Sequence, residues 1–367
     1  MSVEFCTCPV VFAVKDEYQI MIPVKSELLM WVEINGEKYF DEVNGIIRSS
    51  KNIHKFTVPM SELDNAKGYN VCYRKVIERK PYRTETEDEV SVHYDFKPVP
   101  TDREIRLYHI SDTHGNREKP VAAAKFFGDI DLLILNGDII DHSGEEKNFM
   151  VIYEICSDIT GGTVPCIFSR GNHDLRGICA DKLTDWSPTD NGNTYFTFRL
   201  GKIWGLVVDG GEDKNDDHVE YGHTICCHGF RLRQTKFIEK ICASKEYEEE
   251  GIEYKLVIAH NPFTWDDPTP VFNIERDIYL KWCELVRENI KPDLMLCGHL
   301  HRTEIFEVGG PNDNRGQACP VIIGSDIKHG EDGVKFTSAG IVLDGRNANV
   351  VFNDNESIKS KTDIKLK

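Results

Sequence analysis

The chain has 367 residues, 40% apolar and 29% charged, the balance of a globular protein in water with room for two domains. Its 61 acidic side chains outnumber the 44 basic ones for a net charge of −17, which repels polyanions and argues against a grip on extended nucleic acid. No apolar run approaches the length of a membrane span, so no membrane partner is expected.

The chain opens MSVEFCTCPVVFAV, with an acid at Glu4 and no basic stretch before the apolar one, a poor signal peptide. The 12 cysteines follow no framework spacing, and Cys6-Thr7-Cys8 has no second half at zinc-finger distance. Reduced thiols in a cytoplasmic setting are the expectation. Residues 1–100 are β-rich: Leu28 to Ile34, Lys55 to Val58 and Tyr69 to Tyr73 read as strands, with turn signals at Asn35-Gly36 and Asn44-Gly45. They predict an all-β sandwich domain, followed by a linker from Phe96 to Asp102 that carries Pro98 and Pro100.

From Glu104 onward the pattern alternates between strand and helix, the signature of a layered α/β domain over 101–353. Helices are expected over Pro120 to Phe127, Glu145 to Ile159, Arg231 to Glu248 and Ile274 to Ile290. Glu304 to Val308, Pro320 to Ile323, Ala339 to Leu343 and Ala348 to Phe352 read as strands of a second sheet, and 354–367 as a polar, mobile tail. The stretch Gly210 to Gly229 is too polar for core and is expected to loop near the site.

Five apolar runs each end in residues that can bind a metal. Arg106 to Ile110 runs into Ser111, Asp112, Thr113, His114 and Gly115, and DLLILNGDIID places Asp138 and Asp141 at a strand's end. Pro165 to Phe168 leads to Arg170, Gly171, Asn172, His173 and Asp174; Lys255 to Ala259 ends in His260; Asp293 to Cys297 ends in Gly298, His299, Leu300 and His301. In open α/β sheets ligands bind at that edge of the strands. Carboxylates gathered there repel, at about 4 Å and an effective dielectric near 20, by on the order of 4 kcal/mol per pair. The neighbouring imidazoles and amide oxygen are neutral ligands, not cations, so the cluster calls for divalent transition metals such as Mn, Fe or Zn. There are too many ligands for one tetrahedral zinc. They divide over two ions, which can clamp the attacking and leaving oxygens of a displacement at phosphorus.

SDTHG, GDIID, GNHD, the histidine of VIAHNPF, and GHLH together resemble the five-block signature of the calcineurin-like metallophosphoesterase superfamily, spanning Asp112 to His301. The resemblance implies a four-layer α/β/β/α sandwich, here preceded by the β-sandwich, with a two-metal centre at the loop edge. It implies Asp112, His114 and His301 on one ion, Asn172, His260 and His299 on the other, and Asp138 bridging. It also implies His173 as general acid, oriented by Asp141, with a bridging hydroxide as nucleophile.

Two departures narrow the family. Where protein Ser/Thr phosphatases carry Arg and Glu, this chain has His142 and Asp174. The leading β domain is similar in placement to the fibronectin-like domain of purple acid phosphatases, but those enzymes have Tyr at the position of Asp141 and lack the histidine matching His114. An iron(III)-tyrosinate centre is therefore not expected.

The expected substrate is a small phosphodiester or phosphomonoester, nucleotides included. A nuclease is the alternative among enzymes, and a non-catalytic binding scaffold the alternative outside them. The N-terminal domain could recognise a protein or glycan if it shows an exposed apolar patch. Arg170, Arg176 and Arg302 flank ligand blocks and could steady a phosphate bidentately. His142, His218, His223, His228 and His329 read as loop residues, and Trp265 as a packing residue.

Overall fold

The computed structural model describes residues 2–49, 52–330 and 333–366. The apolar runs that lead to the candidate ligands do form strands. Ile105–Ile110, Leu132–Asn136 and Pro165–Ser169 pair in parallel in one sheet, and Tyr254–Ala259 and Leu294–Cys297 pair in parallel in a second.

These strands are apolar throughout because both faces are covered. Leu107, Ile134 and Ile167 face inward against Leu256, Ile258, Leu294 and Leu296 of the other sheet. Their alternates Tyr108, Leu133, Leu135 and Phe168 face outward onto helices Glu118–Phe127 and Met150–Thr160. On the far side, Trp204, Leu206, Val257 and Met295 pack on helices Cys227–Ser244 and Arg276–Leu285. The result is four layers, α/β/β/α, the fold class expected from the sequence. No described helix is long and apolar enough to cross a membrane.

The N-terminal β-rich region is not a closed unit. One of its sheets joins Gly68–Lys80 to Leu28–Ile34 and Val90–Asp95. The other consists of Val10–Val14, Glu17–Pro23 and Ile53–Pro59, and Val10–Val14 pairs in parallel with Pro165–Ser169. A single apolar cluster therefore runs from Met30, Val71 and Phe56 to Leu107 and Ile258. The boundary drawn near residue 100 does not separate two cores. A parallel pairing across about 150 positions leaves no local trace in a sequence, which is why the sandwich reads as independent.

Two further expectations change, and one element is added. The polar segment after Asn353 is not a tail: Ile358–Lys365 pairs antiparallel with Asn347–Asn353. Exposed at every position but Ile364, it carries no apolar alternation, and its lysines guard the sheet edge against further pairing. The strands after His301 divide between sheets: Arg302–Phe306 and the first half of Val321–Gly330 join the second, while Gly333–Asp344 and Asn347–Asn353 join the first. The second half of Val321–Gly330 pairs with Gly333–Asp344, so hydrogen bonding passes from one sheet to the other. Phe196–Leu200 and Ile203–Val208 form a hairpin on the second sheet that the sequence reading does not contain.

Candidate metal centre

Each strand delivers its polar residue through a sharp turn. Asp112, His114, Asp138, His299 and His301 all have positive φ, between 45° and 70°. For residues with a Cβ this is strained backbone, costing on the order of 1–3 kcal/mol each, and such strain collects at functional sites. Gly137 makes the turn into Asp138 possible. At φ +77° it lies against His260 and Gly171, and an added Cβ would stand 2.5 Å from the His260 ring and 2.7 Å from Gly171 Cα. Gly137→Ala is expected to lower stability by about 3 kcal/mol, combining backbone strain with overpacking. Urea unfolding checks this, and an unchanged midpoint would refute it.

The turns bring together every residue assigned to the metals. Ligand atoms of Asp112, His114 and His301 lie within 4.8 Å of one another, as do those of Asp138, His260 and His299. Asn172 joins the second group, its Oδ1 accepting from His299 Nδ1 at 3.0 Å. His114, Asp138 and His173 form a third group that overlaps both, so His173, expected only as an acid, also stands within reach of an ion. Backbone amides fix the carboxylates: His299 N–H reaches both Asp112 oxygens at 3.0 Å, and His173 N–H donates to Asp138 Oδ1 at 2.9 Å.

The residues fit a divalent cation, and His260 provides the clearest sign. Its Nδ1 donates to the Asn136 carbonyl at 2.7 Å, which turns Nε2 toward Asp138 Oδ2 at 3.2 Å and Asp112 Oδ1 at 3.8 Å. Nε2 is buried, and neither carboxylate lies where it would make a hydrogen bond of acceptable geometry. A buried nitrogen aimed between two buried carboxylates lacks a positive charge, which a metal or a proton can supply.

Without metal, protons partly fill that role. Burial disfavours the charged form of His260, but Asp138, Asp112 and the bond to Asn136 overcome it and lift the imidazole from 6.5 to about 10. Burial likewise works against the Asp138 carboxylate, yet His260 holds it well below the usual range. Burial drives Asp112 upward and pushes His114 and His299 down to about 4, with the charge on His260 adding to the effect at His299. At neutral pH, then, His260 carries a proton and His114 and His299 do not. Metal loading must expel that proton, so affinity should rise with pH up to about 10. Titrating Mn or Zn into chelated protein at pH 7, in buffers of different ionisation enthalpy, should show release of about one proton per chain. Heats independent of buffer would contradict this.

His173 and Asp141 meet differently from expectation. His173 Nδ1 donates to the Asp141 main-chain carbonyl at 2.8 Å, whereas the Asp141 carboxylate is 4.0 Å away and 63% exposed. Asp141 orients the ring through its peptide, an interaction a sequence pattern cannot distinguish from one made by its side chain. The flanking arginines are occupied. Arg170 pairs with buried Asp209 at 2.8 Å, and Arg302 pairs with Glu304 at 3.0 Å while lying 5.4 Å over the Trp265 ring. Arg176 commits its fork to Glu212, so no bidentate grip on phosphate remains to it. His142, His218 and His228 bond within their loops or to Glu275.

Asp138, Asn172, His173, His299, His301 and Arg302 open onto a hollow of about 480 Å³, with Trp265 and Phe272 on its wall. A larger hollow of about 770 Å³ lies beside helix Glu118–Phe127 and holds none of the candidate ligands. Chemistry, not size, marks the site. The sequence reading missed Glu212, Asp213 and Tyr221, which surround Arg176; the only signal was the polar character of Gly210 to Gly229.

A family model described as calcineurin-like phosphoesterase matches residues 105–303. The chain is similar to Invasion chromosome antigen T of Shigella flexneri serotype 5a, 21% identical over 306 residues, 74% of this chain and 82% of that protein. It is similar to uncharacterized protein YfdF of Escherichia coli (strain K12), 22% identical over 282 residues, 68% of this chain and 76% of that one. Among solved structures it resembles purple acid phosphatase PPD1 from yellow lupin (Lupinus luteus) seeds, with a TM-score of 0.60 and 14% identity, covering 97% of this chain and 74% of that one. It also resembles PhoD, with a TM-score of 0.58 and 9% identity, covering 99% and 89%. At these identities the structural likenesses establish the fold.

Proposed function

The chain belongs to the calcineurin-like phosphoesterase family, and from that premise we propose that it hydrolyses a small phosphodiester or phosphomonoester, nucleotide-type esters included, at a centre of two divalent ions. The observation that carries the proposal is His260 Nε2, buried without a hydrogen bond between the carboxylates of Asp112 and Asp138. Asp112, His114 and His301 would hold one ion, Asn172, His260 and His299 the other, with Asp138 between them. Ions of the Mn, Fe or Zn type bound there supply the Lewis acidity that makes water nucleophilic near neutral pH and offsets phosphoryl charge.

The remaining work falls to the chain. Asp141's carbonyl fixes the His173 ring, leaving Nε2 on the side of Asp138, 4.0 Å from Oδ2. Once protonated, that nitrogen can pass its proton to a departing alkoxide. The second reading is a scaffold that binds without catalysis. The full ligand set weighs against it, and the charge of −17 weighs against a nuclease.

The test is hydrolysis of bis-p-nitrophenyl phosphate and p-nitrophenyl phosphate by chelated protein reloaded with Mn, Fe or Zn. Metal-restored turnover is expected, and the ratio of the two rates separates diester from monoester preference. Failure to bind about two ions per chain would overturn the two-metal centre.

A further inference from the structure

Arg176 follows the GNHD block and is held in one orientation by buried acids. Its Nε and Nη2 grip Glu212 at 3.0 Å each, and Nη2 also donates to Asp213 Oδ1 at 3.0 Å. Glu212 is fully buried and also accepts from the Tyr221 hydroxyl at 2.9 Å, while its carbonyl is held by Arg231. On the other side of the guanidinium, Nη1 has the Glu220 carboxylate at 3.8 Å and donates to His173 Nε2 at 3.2 Å. His173 Nε2 in turn faces Asp138.

One cationic donor is thus presented to a ring nitrogen of His173, which lines the hollow over the metal cluster. A bond from guanidinium to a phosphoryl oxygen is shorter and stronger than one to a neutral imidazole. An arriving phosphoryl group would therefore compete for the donor that His173 Nε2 now holds. Resting on the phosphoesterase reading, we infer that Arg176 binds a phosphoryl oxygen of the substrate through Nη1, with Glu212 as the positioning residue that aims it. The buried Glu212 explains why an arginine unable to grip phosphate bidentately still serves: its fork is the anchor and its remaining nitrogen the contact.

The experiment compares metal-loaded wild type, Arg176→Lys, Arg176→Ala and Glu212→Gln for the dissociation constant of inorganic phosphate by calorimetric titration, for KM and kcat on bis-p-nitrophenyl phosphate, and for metal content and melting temperature. Arg176→Ala should weaken phosphate binding by about 10- to 100-fold with metals retained, and millimolar guanidinium should restore part of the loss. Arg176→Lys should fall between, keeping the charge without the fork. Glu212→Gln should raise KM more than it lowers kcat.

Phosphate binding within twofold of wild type in Arg176→Ala, or in Arg176→Lys should the alanine variant not fold, overturns the inference. So does a loss that follows metal content or melting temperature and resists guanidinium. Wild type that binds metals and phosphate without turning over either ester would defeat the hydrolase reading alone, since the phosphate comparison still decides the role of Arg176.

Discussion

Asp138→Asn should empty the centre of at least one ion and reduce hydrolysis by about 10³-fold. The size of the effect is Coulombic: one carboxylate charge about 4 Å from a cation, at an effective dielectric near 20, is worth about 4 kcal/mol. The substitution is sterically clean. Asp138 sits at φ 53°, and asparagine tolerates that left-handed conformation as readily as aspartate, so backbone and shape persist while the charge goes. The amide oxygen can still accept from His173 N–H, as Oδ1 does now at 2.9 Å. Elemental analysis beside the nitrophenyl assays checks it. A variant that keeps two ions and more than a tenth of its activity would remove Asp138 from the bridging position.

His173→Ala should separate binding from chemistry. If His173 is the general acid, the variant keeps its metals yet loses about 10²- to 10⁴-fold on esters with poor leaving groups. An alkoxide must be protonated as it departs, whereas p-nitrophenolate leaves readily without help. The loss should therefore be large for an alkyl phosphoester and much smaller for the nitrophenyl analogue. Equal losses on both would reassign His173 to substrate binding. Loss of an ion would assign it to the metals, a position its proximity to His114 and Asp138 also permits.

The site was legible because its signal is local. An apolar strand of about five residues, a turn and a ligand all fall within one short window, and Asp112, Asp138, Asn172, His260 and His299 announce themselves that way. Arg176 and Glu212 meet across 36 positions, and nothing in either neighbourhood names the other. Val10–Val14 has the composition of any buried strand, so its place beside Pro165–Ser169 rather than in a separate sandwich is a tertiary fact. Ile358–Lys365 fails oppositely: most of its side chains face water and Ile364 alone packs against the apolar cluster, so the polar pattern conceals a strand. At Asp141 the residue could be picked out, but which of its oxygens does the work could not.

The allocation of ligands between the sheets has a mechanical consequence. Asp112, His114, Asp138 and Asn172 follow strands of the first sheet, and His260, His299 and His301 follow strands of the second. Under the proposed assignment each ion takes donors from both, so each rivets one wall of the sandwich to the other across its open rim. The flanks are already laced without metal. On one side Val321–Gly330 crosses to pair with Gly333–Asp344, and on the other Lys15 N–H donates to the Thr197 carbonyl at 2.6 Å. Stripping the ions would therefore leave the walls standing and slacken only the rim between them. Amide exchange should then quicken in the turns around Asp112, Asp138 and His299 while the strands behind them stay protected.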